Sequence, residues 1–200
     1  IANEPKSGFG SKAKPPPVSK MVPFPFFSIS DATRFTTVNT PATFTLSNNA
    51  NLIQVNNTAN TGIISVKRNS NPLFRLDYTL WSSPVSGAQT LVDFSPLTTV
   101  GRFYTYNPAT DLYNITAPTT PFETGTGYLI RMPNTDPTTD YDAGTATLAY
   151  QGAFTGTPNN GTVTLGSVTP LLSDKYYAVG NPYPSTISAA AFLGANATDG

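Results

Sequence analysis

The sequence predicts an all-β fold, an antiparallel β-sandwich-like domain with an extended N-terminal arm and one short C-terminal helix. Three observations carry this. Polar residues are mainly Thr, Ser and Asn, and they accompany 19 Pro, 15 Gly and 12% aromatic residues in a 200-residue chain, a composition that suits short strands joined by turns. Strand-like segments recur about every ten residues with Asn- or Gly-rich punctuation between them. Only one stretch, near the end, has the start and stop signals of a helix.

Residues 1–20, IANEPKSGFGSKAKPPPVSK, hold four lysines, one glutamate and a run of three prolines. They read as an extended, solvated arm in polyproline conformation. The FPFF at 24–27 would be costly to leave exposed, so the arm has a second reading as a segment that docks on a neighbouring molecule. The organisation expected is an arm or linker over 1–32 and a β-rich module over 33–200, incomplete at its C-terminus. Residue 1 is Ile and no charged-then-apolar leader follows, so a processed or trimmed chain is expected.

Strands are expected at 42–47, 51–56 and 62–68 as a meander in a sheet, one edge of a solenoid being the alternative. Others are expected at Leu73–Trp81, Arg102–Asn107, Asp111–Ile115, Gly127–Met132, Thr145–Gln151, Thr162–Val168 and Lys175–Val179. The Asn-Gly pair in TPNNGT (157–162) favours left-handed backbone and a hairpin turn. The helix is AAAFLGAN, capped by Ser185 or Ser188 and stopped at Gly194 and Asn196.

Charge excludes several functions. Eleven basic residues balance eleven acidic ones, and only 11% of residues are charged, against roughly 25% on average. No basic field invites nucleic acid. The longest apolar runs fall far short of the roughly 20 residues of a membrane-spanning helix. Cysteine and histidine are absent, which removes disulfides, thiol chemistry, the usual general base and the commonest zinc ligand. Nucleotide-binding glycine motifs are missing as well. Carboxylate-pair hydrolysis survives only if two of Asp77, Asp93, Asp111 and Glu123 converge. Each also reads simply, as a turn residue or, for Arg75 and Asp77, a strand-edge ion pair.

Two binding chemistries remain. Tyr104, Tyr106 and Tyr113 lie in aromatic strands and could stack on sugar rings as a flat exposed row, although alternation turns Phe103 away from Tyr104 and makes about half of such rings core. Asp136, Asp140 and Asp142 precede Gly144, as alternate acidic oxygens would in a calcium loop. The complete twelve-residue loop is lacking, and an Asx-turn loop explains the same residues. No cofactor is required; calcium is the one ion the loop suggests.

Two motifs read as architecture. In WSSPVSG (81–87) Trp81 buries its ring at a strand end, and Pro84 with Gly87 turns the chain. In GNPYPS (180–185) Pro182 and Pro184 hold Asn181 and Tyr183 extended, while Gly180 permits a close approach.

The segments TGIISVKRNSNPLFRLDYTLWSSPVSGAQTLVDFSP (61–96), GTGYLIRMPN (125–134), FTGTPNNGTVTL (154–165) and YYAVGNPYPSTISAAAFLGAN (176–196), in that order, resemble a module of large secreted and cell-surface, adhesin-like proteins of the Bacteroidetes. Many of those proteins are exported by the type IX secretion system. The resemblance covers roughly residues 42–196. It implies an extracellular or cell-surface β-rich module of a longer chain, without catalytic residues, in proteins that usually end in a separate sorting domain. The expected function is therefore non-enzymatic, a contribution to adhesion or to a cell-surface assembly. The alternatives are a carbohydrate-binding module using the tyrosines and calcium, and a structural subunit that self-associates by donating residues 20–30 to a neighbour's sheet edge.

Overall fold

A computed structural model describes residues 27–28, 44–136, 139–164 and 176–195. The rest of the N-terminal arm, most of the strand expected at 162–168 and Lys175 lie outside the described residues. The strands are β1 (Phe27–Ser28), β2 (Phe44–Leu46), β3 (Leu52–Ile53), β4 (Ile64–Leu73), β5 (Tyr78–Trp81), β6 (Val85–Ser86), β7 (Phe103–Asn107), β8 (Leu112–Ile115), β9 (Tyr128–Arg131) and β10 (Leu148–Pro158). Three short helices accompany them, α1 (Leu91–Phe94), α2 (Thr139–Asp142) and α3 (Ala189–Ala195).

Two four-stranded sheets form the sandwich. The first has the order β2-β4-β10-β6 and the second β5-β9-β7-β8, with β1 and β3 as a separate parallel pair. The second sheet is antiparallel throughout. In the first, β4–β10 and β10–β6 are antiparallel but β2 runs parallel to β4. The meander expected over 42–68 is thus corrected: β3 leaves the sheet to pair with β1, and β4 returns beside β2 in the same direction.

Two other boundaries differ from expectation. The segment 73–81 is not one strand, because Phe74–Asp77 is a turn in which the Asp77 carboxylate accepts the Phe74 amide (2.9 Å) and the Asp77 amide donates to the Phe74 carbonyl (2.9 Å). Arg75 and Asp77 therefore share a turn rather than a strand face. In the other direction, β10 runs on past Gln151 to Pro158. Its glycines are contact points and not breaks. A Cβ on Gly152 would overlap the Phe94 ring, and one on Gly156 would overlap the Ser86 carbonyl.

One core joins the sheets. Ile64, Val66 and Phe154 from the first sheet meet Trp81, Phe103, Tyr128 and Ile130 from the second, with Leu91, Phe94 and Phe122 between. Phe94 is the hub: it stacks on Phe154 (4.5 Å, 25°) and stands edge-on to Trp81 (5.0 Å) and Phe122 (5.3 Å). Its helix α1 is a single turn, too short to hold itself. It is fixed by a capping box in which Thr90 accepts from the Asp93 amide (3.2 Å) and the Asp93 carboxylate accepts from the Thr90 amide (3.0 Å). No helix among the described residues is long and apolar enough to cross a membrane.

Candidate functional site

The period of two along a strand splits the second sheet into two faces. Trp81, Phe103, Tyr128 and Ile130 point inward and are buried. The register then sets Leu80, Leu129, Tyr104 and Ile115 in one outward row across all four strands, with Tyr106 opposite Tyr113 in the next. Leu80 is 55% and Ile115 67% exposed, so the outer face is apolar and open. Tyr106 and Tyr113 meet edge-on at 5.3 Å. Tyr104 pairs instead with Tyr78 (5.8 Å, 67°), a partner sequence reasoning missed because it arrives from the far edge strand. The face is accordingly two ridged pairs and not the flat row expected.

Each pair has a polar anchor. Asp111, in left-handed backbone at the β7–β8 turn (φ 58°), accepts the hydroxyl hydrogen of Tyr106. That bond, followed by desolvation and the carboxylate charge, pushes the Tyr106 phenol up to about 12. Arg102, exposed just before β7, reaches the Tyr104 hydroxyl (3.5 Å). Three of the four carboxylates considered for hydrolysis are occupied locally: Asp77 and Asp93 hold turns, and Asp111 holds Tyr106.

Beside this face, residues 178–186 run as a strap from the start of β9 to β3. The Ala178 carbonyl accepts from the Gly127 amide (2.8 Å), and the Pro184 carbonyl from the Leu52 amide (2.9 Å). The Asn181 side chain brackets the two prolines, accepting from the Tyr183 amide (3.0 Å) and donating to the Ser185 carbonyl (2.6 Å). Asn159 donates to the Pro182 carbonyl (2.8 Å), the Tyr183 hydroxyl donates to the Gly161 carbonyl (2.6 Å), and Pro184 is fully buried. Gly180 lies so close to Ser82 that any side chain there would overlap it. Trp81 is in the core, Pro84 is buried, and the Pro84 carbonyl accepts from the Asn159 amide (3.2 Å).

A groove of about 590 Å³ lies under the strap, lined by Asn51, Arg68, Trp81, Ser82 and Asn181 among others. The Arg68 guanidinium is spent there on backbone carbonyls, those of Lys67 (2.8 Å) and Ala50 (3.0 Å) first, and burial lowers its pKa. A second hollow of about 860 Å³ opens on the other side, against Pro182, Ile187 and Phe192. The helix beyond is capped by Ser188, whose hydroxyl accepts from the Ala191 amide (3.2 Å); Ser185 serves the strap instead.

In the acidic loop, Asp142 accepts from the Asp136 amide (3.1 Å), and the Asp140 carbonyl accepts from the amides of Thr145 (3.1 Å) and Ala146 (3.2 Å). Between them Tyr141 is fully buried with its hydroxyl on the Pro133 carbonyl (2.8 Å). Among the described residues no three His, Cys, Asp or Glu side chains gather as a metal site.

Fold and surface together define a β-sandwich-like domain with a closed aromatic core, a strapped sheet junction and an open tyrosine face. The chain belongs to the family described as Domain of unknown function (DUF8693), which matches residues 29–200. No curated protein and no solved structure matches it.

Proposed function

We propose that this domain is a non-enzymatic adhesion module of a secreted or cell-surface bacterial protein and that the outer face of its second sheet is the contact surface for glycan. The observation that carries this reading is the pair of tyrosine clusters, Tyr78 with Tyr104 and Tyr106 with Tyr113, set among exposed Leu80 and Ile115. Aromatic faces take the C–H side of a pyranose ring, and flanking phenols and amides orient its hydroxyls. An exposed apolar patch of this kind marks an interaction site. The resemblance to adhesin-like surface proteins points the same way.

The test is a glycan array, run with calcium and with chelator, on the wild type and on the Tyr104→Ala, Tyr106→Ala double variant. The reading expects binding that the double variant loses while its unfolding curve is unchanged. Loss in chelator would assign calcium to the Asp136–Asp142 loop. Binding retained by the double variant would remove these rings from the site.

A second reading, assembly through the N-terminal arm, is favoured by one observation: Phe27–Ser28 adds in parallel to β3. The same pairing made between two chains would be a strand exchange. Deleting residues 1–30 tests it by the molar mass in solution. An unchanged assembly would leave the arm as a linker.

A further inference from the structure

We infer that the tyrosine face selects glycans carrying an anionic substituent, a uronate carboxylate or a sulfate ester, and that Arg102 is the residue that reads that charge. The inference rests on the glycan reading above and adds the class of sugar.

Four arginines fall among the described residues, and three are committed to the protein. Arg68 is engaged with backbone carbonyls. Arg75 donates to the Asn134 side chain (3.1 Å), and Arg131, which is buried, donates to Thr99 (2.7 Å). Arg102 alone of the four is exposed. It stands where the outer face offers aromatic rings, beside Tyr78 and Tyr104, whose centroids are 5.8 Å apart.

Its partners are neutral. Arg102 donates to the Tyr104 hydroxyl (3.5 Å), the hydroxyls of Tyr104 and then Tyr78 hold its pKa above its ordinary value, and no carboxylate among the described residues is one of the groups acting on it. Asp111, the carboxylate that the described residues bond to this face, is turned to Tyr106. An arginine with a carboxylate partner would already be neutralised. One held by phenols keeps its full charge and is oriented without being quenched. The planar guanidinium then offers paired N–H donors matched to a carboxylate or sulfate, while the adjoining ring takes the sugar. The outward row Leu80, Leu129, Tyr104 and Ile115 has no acidic side chain to repel such a ligand.

The experiment compares binding of the intact chain to polygalacturonate, a sulfated galactan and a neutral galactan. The wild type is expected to prefer at least one anionic polymer by about tenfold, the scale of a charge-assisted hydrogen bond, and the preference should shrink as salt rises. Which polymer is preferred separates carboxylate from sulfate. Arg102→Gln should bring the ratio of anionic to neutral binding down to about one, whatever it does to neutral binding itself, and Arg102→Lys should keep part of the preference. Equal binding of neutral and anionic polymers, or a preference that survives Arg102→Gln or high salt, overturns the inference and leaves the glycan reading standing. Binding to none of the three overturns the inference, and the absence of binding to any glycan on the array as well overturns both. Should Arg102→Gln fail to fold, Arg102→Lys carries the test of that residue, and an undiminished preference in it overturns the inference.

Discussion

Tyr128, Tyr141, Tyr150 and Tyr183 use their hydroxyls inside the fold, whereas Tyr78, Tyr104, Tyr106 and Tyr113 line its outer face. The internal four each meet backbone. Tyr150 donates to the Phe94 carbonyl (2.6 Å), Tyr183 to that of Gly161 (2.6 Å) and Tyr141 to that of Pro133 (2.8 Å), while Tyr128 accepts from the Glu123 amide (3.2 Å). The outer four meet one another, Asp111 and Arg102. One residue type therefore does two jobs. Within the second sheet strand parity decides which: Tyr128 lies opposite Trp81 on the inward face, and Tyr104 lies opposite Leu129 on the outward one.

The largest expected effect breaks the comparison at the ring itself. Tyr128→Ala empties a fully buried site next to Phe122 (5.2 Å) and should cost about 3–5 kcal/mol, the range for large aromatic truncations. Tyr113→Ala removes a ring that is 40% exposed and should cost about 0.5 kcal/mol or less. Denaturant unfolding of the two variants measures the gap. Equal losses would mean that the outer rings carry the fold as much as the inner ones.

Next in size are the hydroxyls. Tyr150→Phe and Tyr183→Phe each leave a carbonyl without its donor at a sheet junction, at about 1–2 kcal/mol. Tyr104→Phe should change unfolding by less than about 0.5 kcal/mol. The Tyr183 variant also tests the strap, since its hydroxyl ties residues 180–185 to the 159–161 turn. A Tyr183→Phe variant as stable as wild type would make GNPYPS a loop that merely rests on the sheets.

How much of this was legible in sequence depends on the range of the interaction. Alternation in 102–107 was enough to send Phe103 inward and Tyr104 outward, and the order of β-rich segments was enough for the fold class. Asn181 with its two prolines could be read as structural because the bracketing bonds span only four residues. The partner of Tyr104 could not, since Tyr78 reaches it across β9 by pairings that no local pattern encodes. The parallel return of β4 beside β2 is hidden for the same reason. The extension of β10 beyond the expected Thr145–Gln151 is hidden too, since Gly152 and Gly156 stay in the strand by admitting a ring and a carbonyl from distant parts of the chain. The Thr90–Asp93 box was a readable helix start, but a four-residue helix has no periodicity to confirm it.

A smaller effect appears at high pH. Burial, the first cause, pushes Tyr141 up from 10.0 to about 12. The folded state thus holds a proton that the unfolded chain releases between those values. Unfolding free energy gains nothing from this group below about pH 10 as pH changes, and it falls as pH rises from about 10 to 12. Tyr141→Phe should be less stable at neutral pH through its lost bond to Pro133, yet show a flatter alkaline limb. An identical limb in both proteins would place the alkaline sensitivity elsewhere.

The smallest effect on stability, and the sharpest on the outer face, concerns Asp111. Tyr106 also stands at about 12, but here the hydrogen bond to Asp111 comes first among the causes and burial second. Two phenols with the same acidity are thus held by different physics. Asp111→Asn retains a carbonyl oxygen that can accept and removes the negative charge that opposes a phenolate nearby. The Tyr106 titration, followed by phenolate absorbance against a Tyr106→Phe reference, should move down toward 10, while unfolding changes by less than about 0.5 kcal/mol. Tyr141 should not move. A Tyr106 titration left at its wild-type position would show that the outer ring is held by desolvation like the inner ones, and the distinction between the two sets of tyrosines would then lie in exposure alone.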